Sequence, residues 1–204
     1  MEMWFSEFHT PDVKHSIRVN RQLFSRQSDY QRIDIFETPE FGRVLTLDGN
    51  VMLTERDEFI YDEMITHVPM AIHKEAKDIM VIGAGDGGVV RELTRYDRVR
   101  HIDLVEMDPM VVEACRAYLP ENACRLDDRR VHLHYENALR FIRRCEAKYD
   151  LIIVDLGSVW PIGRIVYPRI LWELLQCIER GWNYGQSAGK SILRRRCTCN
   201  AAKP

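Results

Sequence analysis

The sequence predicts an α/β protein in which a small N-terminal antiparallel β domain, residues 1–56, precedes a parallel sheet with helices on both faces, residues 57–155. Three observations predict it. Asp48-Gly49-Asn50 separates two β-forming runs, Arg43–Leu47 and Val51–Thr54, and is a strong hairpin signal. A short apolar run, Ile79–Ile82, leads straight into Gly83-Ala84-Gly85-Asp86-Gly87-Gly88, with the spacing G-x-G-x-x-G. From that loop onward, strand-like and helix-like stretches alternate up to Asp155, which implies a parallel, Rossmann-like sheet.

Taken in order, Ile17–Phe24, Tyr30–Glu37, Arg43–Leu47 and Val51–Thr54 alternate or carry β-formers, and form the first sheet. Glu58–His67 reads as a helix, with Phe59, Ile60, Met64, Ile65 and Val68 near helical spacing. Pro69 sits near its end, and Met70–His73 extend it. The parallel sheet then takes strands 79–82, 101–105, 130–134 and Leu151–Val154. Helices at Val89–Tyr96, 109–118 and Ala138–Cys145 alternate with them. In the glycine loop, Gly83 permits a tight turn, Gly85 lets a ligand approach bare backbone, and Gly88 lets the next helix pack close to the strand. The second strand ends in Glu106, where such folds place an acid on a ribose. Ligands bind at the carboxyl ends of the strands, which here carry Gly83–Gly88, Glu106, Asn137 and Asp155.

A net charge of −2 gives no general attraction to nucleic acid or anionic membranes, and no apolar run is long enough to span a bilayer. The N-terminus lacks a signal-peptide layout, so a cytoplasmic location is expected. Cys115, Cys124, Cys145 and Cys177 form no C-x-x-C pair and read as reduced thiols. Cys197-x-Cys199 lacks a second ligand pair, and the seven histidines lack a metal spacing. No metal and no bound cofactor are expected.

An ordered set of motifs runs through residues 1–155. It comprises Trp4-Phe5, Tyr30-Gln31, Leu47-Asp48-Gly49, Thr54-Glu55-Arg56-Asp57-Glu58-Phe59 and Tyr61-Asp62-Glu63-Met64. The Gly-Ala-Gly-Asp-Gly-Gly loop, Val105-Glu106-Met107-Asp108 and Tyr149-Asp150-Leu151-Ile152-Ile153-Val154-Asp155 complete it. In these motifs the chain resembles the spermidine synthases, the polyamine aminopropyltransferases. The resemblance implies transfer of an aminopropyl group from decarboxylated S-adenosylmethionine, a co-substrate, to a diamine, usually putrescine, without a metal. It also implies a β-rich N-terminal domain, a sheet like that of S-adenosylmethionine methyltransferases, and a homodimer or homotetramer.

The chemistry needs carboxylates. The acceptor amine is protonated at neutral pH, since alkylammonium pKa values lie near ~10. It must be deprotonated and aimed at the carbon beside the donor's sulfonium. Asp155 matches the family's proton acceptor and is the expected general base, against a reading as a solvated strand-end acid. Tyr61 is expected to hydrogen-bond the diamine, against a reading as a half-buried helix tyrosine. Asp62 stands where the family often has His or Gln; it suits a diammonium ligand, and equally an acid at a helix start. Asp86 would repel the carboxylate of intact S-adenosylmethionine and attract the ammonium of the decarboxylated donor. The resemblance assigns it that role, at the donor and beside the diamine. Glu106 would take the ribose hydroxyls, and Gln31 matches a family residue that contacts the nucleoside. Asn137-Ala138 occupies the adenine position, where Asn accepts from an amino group but supplies no charge. An S-adenosylmethionine-dependent methyltransferase and a non-catalytic nucleoside-binding remnant are the alternatives.

The resemblance ends at Asp155. The family continues Asp-Ser-Ser/Thr-Asp-Pro and then Phe-Gly-Pro; this chain reads Leu156-Gly157-Ser158-Val159-Trp160-Pro161, with Ser158 in place of the second acid. Back-translated with free synonymous choice and read one base later, residues 156–164 yield Ser-Asp-Pro-Phe-Gly-Pro-Ser-Glu-Gly. Family-like sequence continues to residue 204 in family order. The expectation is a frame shift beside the Asp155 codon, with 156–204 an out-of-frame tail and aminopropyl transfer by this chain impaired. Within that tail, Leu171–Ile178 is apolar enough for a helix.

Overall fold

The structure is a computed structural model and describes residues 2–144 and 149–156. Expectations for Ser158, for a helix at Leu171–Ile178 and for the tail beyond Leu156 lie outside the described residues.

The chain opens with β1 (Met3–Thr10) and β2 (Val13–Val19), which pair antiparallel as a two-stranded sheet. Then β3 (Arg21–Gln27), β4 (Arg32–Thr38), β5 (Gly42–Leu47) and β6 (Asn50–Thr54) form an antiparallel meander in that order. The Asp48-Gly49 turn closes β5 on β6 with Leu47 opposite Asn50, and both turn residues have positive φ, 50° and 80°. That is the twist-matched two-residue hairpin the dipeptide predicts.

The single strand expected over Ile17–Phe24 is two strands. Val19 ends the first hairpin, and Asn20, whose N–H donates to the Glu37 carbonyl at 2.8 Å, turns the chain into the next sheet. A run of β-formers does not reveal that its two halves have different partners.

Next come α1 (Glu58–Ile72), β7 (Asp78–Gly83), α2 (Gly88–Leu93), β8 (His101–Glu106) and α3 (Pro109–Tyr118). They are succeeded by α4 (Pro120–Ala123), β9 (Val131–Tyr135), α5 (Ala138–Arg144) and β10 (Leu151–Asp155). The helix expected over Val89–Tyr96 is shorter, because the chain tightens to i→i+3 bonds at Arg95 and Tyr96. The four-residue α4 was not legible in the apolar pattern.

The four late strands form one parallel sheet in the order β10-β7-β8-β9. β7 lies inside it, so Ile79 to Ile82 are all at most 2% exposed. Ile79 and Val81 face a core shared with Met70 of α1, Val89, Val90 and Leu93 of α2, and Val111 and Val112 of α3. Ile33, Ile35 and Leu45 of the antiparallel sheet join the same core. Met80 and Ile82 face the other side, with Val105 and with Phe141 and Ile142 of α5. Helices therefore cover both faces, and α1 lies against α2 and against the carboxyl end of β10.

Candidate active site

The glycine loop is shaped by what surrounds it. Gly83 has φ +79°, and a Cβ there would lie 1.8 Å from the Asp155 carbonyl oxygen; that oxygen accepts from the Ala84 N–H at 3.2 Å. Only glycine allows this turn to close on the end of β10. Side chains crowd the other two glycines as well. A Cβ on Gly85 would meet the Glu106 carboxylate at 2.8 Å, and one on Gly88 would meet Asp62 Oδ2 at 1.9 Å. Both gaps are filled by acidic side chains of the protein. The Gly88 N–H is taken as well, donating to Asp86 Oδ1 at 2.8 Å.

Burial and mutual repulsion then raise a group of carboxyls. Asp86, without full access to water and near Asp155 and Glu58, is pushed up to about 6 despite the Gly88 N–H. Glu106 is pushed up to about 7 by burial, although the Asp108 N–H donates to its Oε1 at 2.9 Å. Asp62, 4% exposed, is pushed up to about 9 by burial, a hydrogen bond with Glu58 and the field of Asp86. Asp155 is raised by burial, while the Tyr61 hydroxyl, donating to Oδ1 at 2.7 Å, pulls it back. Opposite them, the Arg91 guanidinium holds Glu58 through two bonds, 3.0 and 2.8 Å, and reaches Asp62 at 3.9 Å. A cluster of carboxyls whose pKa values burial raises gains from a nearby cation, which favours the ionised form of each acid it pairs with.

The structure thus brings Tyr61 and Asp155 together, and places Asp62 and Asp86 on either side of Gly88. Gln31 arrives from the loop before β4, and its Nε2 donates to Asp108 Oδ2 at 3.0 Å. Asn137 lies two residues beyond the end of β9, and its side-chain oxygen accepts from the Leu139 N–H at 3.0 Å, capping α5, with Ala138 as the first helical residue. Sequence reasoning missed Asp108 as a structural centre. The signal was present: an acid directly before Pro109 is a helix start, and Asp108 does accept from the Met110 N–H. Sequence spacing also hid the approach of Glu63, His67 and Glu92, whose ligand atoms lie within 4.8 Å of one another. Arg91 and Arg95 already donate to Glu92 there.

A model of the spermine/spermidine synthase domain matches residues 58–172, and one of the spermidine synthase tetramerisation domain matches residues 3–55. The chain belongs to the spermidine synthase family. Its match reaches residue 172, past the Asp155 boundary at which the motifs end.

Among relatives in this family, the polyamine aminopropyltransferase of Lachnoclostridium phytofermentans is 58% identical over 163 residues, 80% of this chain and 57% of the relative. That of Clostridium perfringens strain 13 is 58% identical over 169 residues, 83% of this chain and 60% of the relative. A crystal structure of spermidine synthase in complex with the transition state analogue AdoDATO is 44% identical. Its TM-score is 0.73, over 75% of this chain and 54% of that one. Spermidine synthase from Thermotoga maritima is 43% identical, with a TM-score of 0.72, over 74% and 54%. The chain therefore spans somewhat more than half the length of the spermidine synthases it matches. No described helix is long and apolar enough to cross a membrane.

Proposed function

We propose that this site belongs to a spermidine-forming polyamine aminopropyltransferase, in which putrescine attacks the aminopropyl carbon of decarboxylated S-adenosylmethionine and methylthioadenosine leaves. The observation that carries this reading is the placement of Asp86 in the glycine loop while Tyr61 hydrogen-bonds Asp155. Asp86 supplies negative charge where a donor lacking its carboxylate presents an ammonium. Asp155 takes the proton from the attacking amine, and its raised pKa makes it a stronger base. Tyr61 fixes one Asp155 oxygen and leaves the other for the amine. Asp62 lies beside the diamine path. Glu106, Gln31 and Asn137-Ala138 hold the nucleoside, with Gly83 and Gly85 shaping the loop under it. The sulfonium is already a good leaving group, so the reaction needs no metal and no bound cofactor. A homodimer or homotetramer built through residues 3–55 and a cytoplasmic location complete the proposal, without nucleic acid or membrane as partner.

The 204-residue chain is proposed to be impaired in this reaction by a frame shift beside the Asp155 codon, which sequencing the gene across that codon tests directly. The activity is tested by incubating the frame-restored protein with each donor in the presence of putrescine. Aminopropyl transfer from the decarboxylated donor supports the reading. Methyl transfer from intact S-adenosylmethionine, with no aminopropyl transfer, replaces it with a methyltransferase on the same fold.

A further inference from the structure

Asp108 joins the loop between β3 and β4 to the start of α3. It is 1% exposed, and its two oxygens face different elements. Oδ1 accepts from the Met110 N–H at 3.0 Å and starts α3. Oδ2 accepts from the Ser28 hydroxyl at 2.6 Å and from Gln31 Nε2 at 3.0 Å, both on the loop between β3 and β4. Its own N–H donates to Glu106 Oε1 at 2.9 Å. The Ser28 oxygen in turn accepts from the Gln31 N–H at 3.0 Å, so the loop is tied at backbone and side chain.

We propose that Asp108 is a positioning residue that sets the hydrogen-bonding polarity of the nucleoside site. The inference rests on the reading of Gln31 and Glu106 as nucleoside ligands. A carboxylate only accepts, so it forces the Gln31 amide to present its NH₂ inward, toward Asp108, and keeps its Oε1 as the remaining acceptor. The backbone at Asp108 holds the Glu106 carboxylate, another acceptor, at the end of β8. Both ligands are thereby acceptors, and they select a nucleoside whose ribose offers two hydroxyl donors. A deoxyribose leaves one acceptor desolvated and unpaired, which is where discrimination arises.

The test is calorimetry on the 204-residue chain, and beside it on the frame-restored protein, with 5′-methylthioadenosine and its 2′-deoxy and 3′-deoxy forms. The unaltered chain is expected to bind methylthioadenosine and to bind at least one deoxy form about tenfold more weakly. Asp108→Asn retains a good helix cap, but its amide confronts the Gln31 amide and frees that side chain to flip. It is expected to weaken methylthioadenosine binding about tenfold and to lose most of the discrimination against the deoxy forms. Adding Gln31→Glu to Asp108→Asn restores a donor–acceptor pair and is expected to restore discrimination, which a merely structural role for Asp108 would not produce. Gln31→Met leaves α3 intact and is expected to remove the same discrimination, so the proposal stays falsifiable if Asp108→Asn does not fold. Discrimination retained in folded Asp108→Asn overturns the positioning role alone; discrimination retained in Gln31→Met overturns Gln31 as a ribose ligand, and this inference with it. Failure of both the 204-residue chain and the frame-restored protein to bind methylthioadenosine overturns the nucleoside-site reading itself, and this inference with it.

Discussion

The pairing of Tyr61 with Asp155 joins residues 94 apart in the chain through one 2.7 Å hydrogen bond. Asp155 was legible in the sequence as an acid at the tip of an apolar strand, and Tyr61 as part of a helix motif. Their contact was not, because it depends on α1 lying across the end of β10. In the frame-restored enzyme, Asp155→Asn keeps the shape but cannot take a proton. Turnover is expected to fall about 10²–10⁴-fold, with methylthioadenosine binding nearly unchanged; steady-state kinetics beside calorimetry checks this, and turnover near the unaltered level removes Asp155 from the base role. Tyr61→Phe tests the other partner. The phenol donates to the ionised carboxylate and so lowers the Asp155 pKa against the upward push of burial. Without it the pKa rises, a smaller fraction of Asp155 is ionised at a given pH, and the acidic limb of the kcat/KM profile moves to higher pH. A limb that stays in place, or moves to lower pH, contradicts the hydrogen bond as drawn.

The contact between α1 and α2 shows how an element can be correctly located while its polar packing goes unread. The glycine spacing predicted the loop, the turn at Gly83 and a helix after it, all of which stand in the structure. It did not predict that Gly88 is bare because the Asp62 carboxyl lies against it, since that packing requires Glu58 and Arg91 to fix α1 over α2. Sequence periodicity reports which face of a helix is apolar, and is silent on a polar contact between two helices. The consequence is measurable. Gly88→Ala drives a methyl into Asp62 Oδ2 at 1.9 Å, between two packed helices, and overpacking of this kind costs about 1–3 kcal/mol. A fall in the urea midpoint of the frame-restored protein is expected, and Asp62→Ala in the same chain should relieve most of it. Equal destabilisation with and without Asp62 would place the strain elsewhere. The β1–β2 hairpin was less legible for a different reason. Much of its surface is exposed, so its alternation has no buried face to mark it.

At the scale of the whole molecule, the donor and acceptor halves of the site stand unequally complete. The proposed donor half, Gln31, Asp86 and Glu106, is built on β7, β8 and the antiparallel sheet, which contribute to a shared core. The acceptor half depends on the chain beyond Asp155. Among the described residues β10 pairs with β7 alone, and an out-of-frame tail that left that edge uncovered would make the sheet prone to association. If residues 156–204 are read out of frame, the chain lacks the acid expected at Ser158, the Phe-Gly-Pro segment and every later wall of the diamine pocket. Water then reaches the carboxyls and screens their attraction for the diammonium, and misplacement of the amine by about 1 Å alone can cost ~10²-fold in rate. The 204-residue chain is therefore expected to bind nucleoside weakly, to be poorly soluble and to make no spermidine from putrescine and decarboxylated S-adenosylmethionine. Restoring the frame at the Asp155 codon should recover transfer in one step, because the residues proposed to hold the donor precede that codon. The decisive measurement is spermidine formation by the two purified proteins side by side. Comparable rates would mean that the native acceptor pocket is assembled without the in-frame continuation, and the frame-shift account of this chain would be wrong.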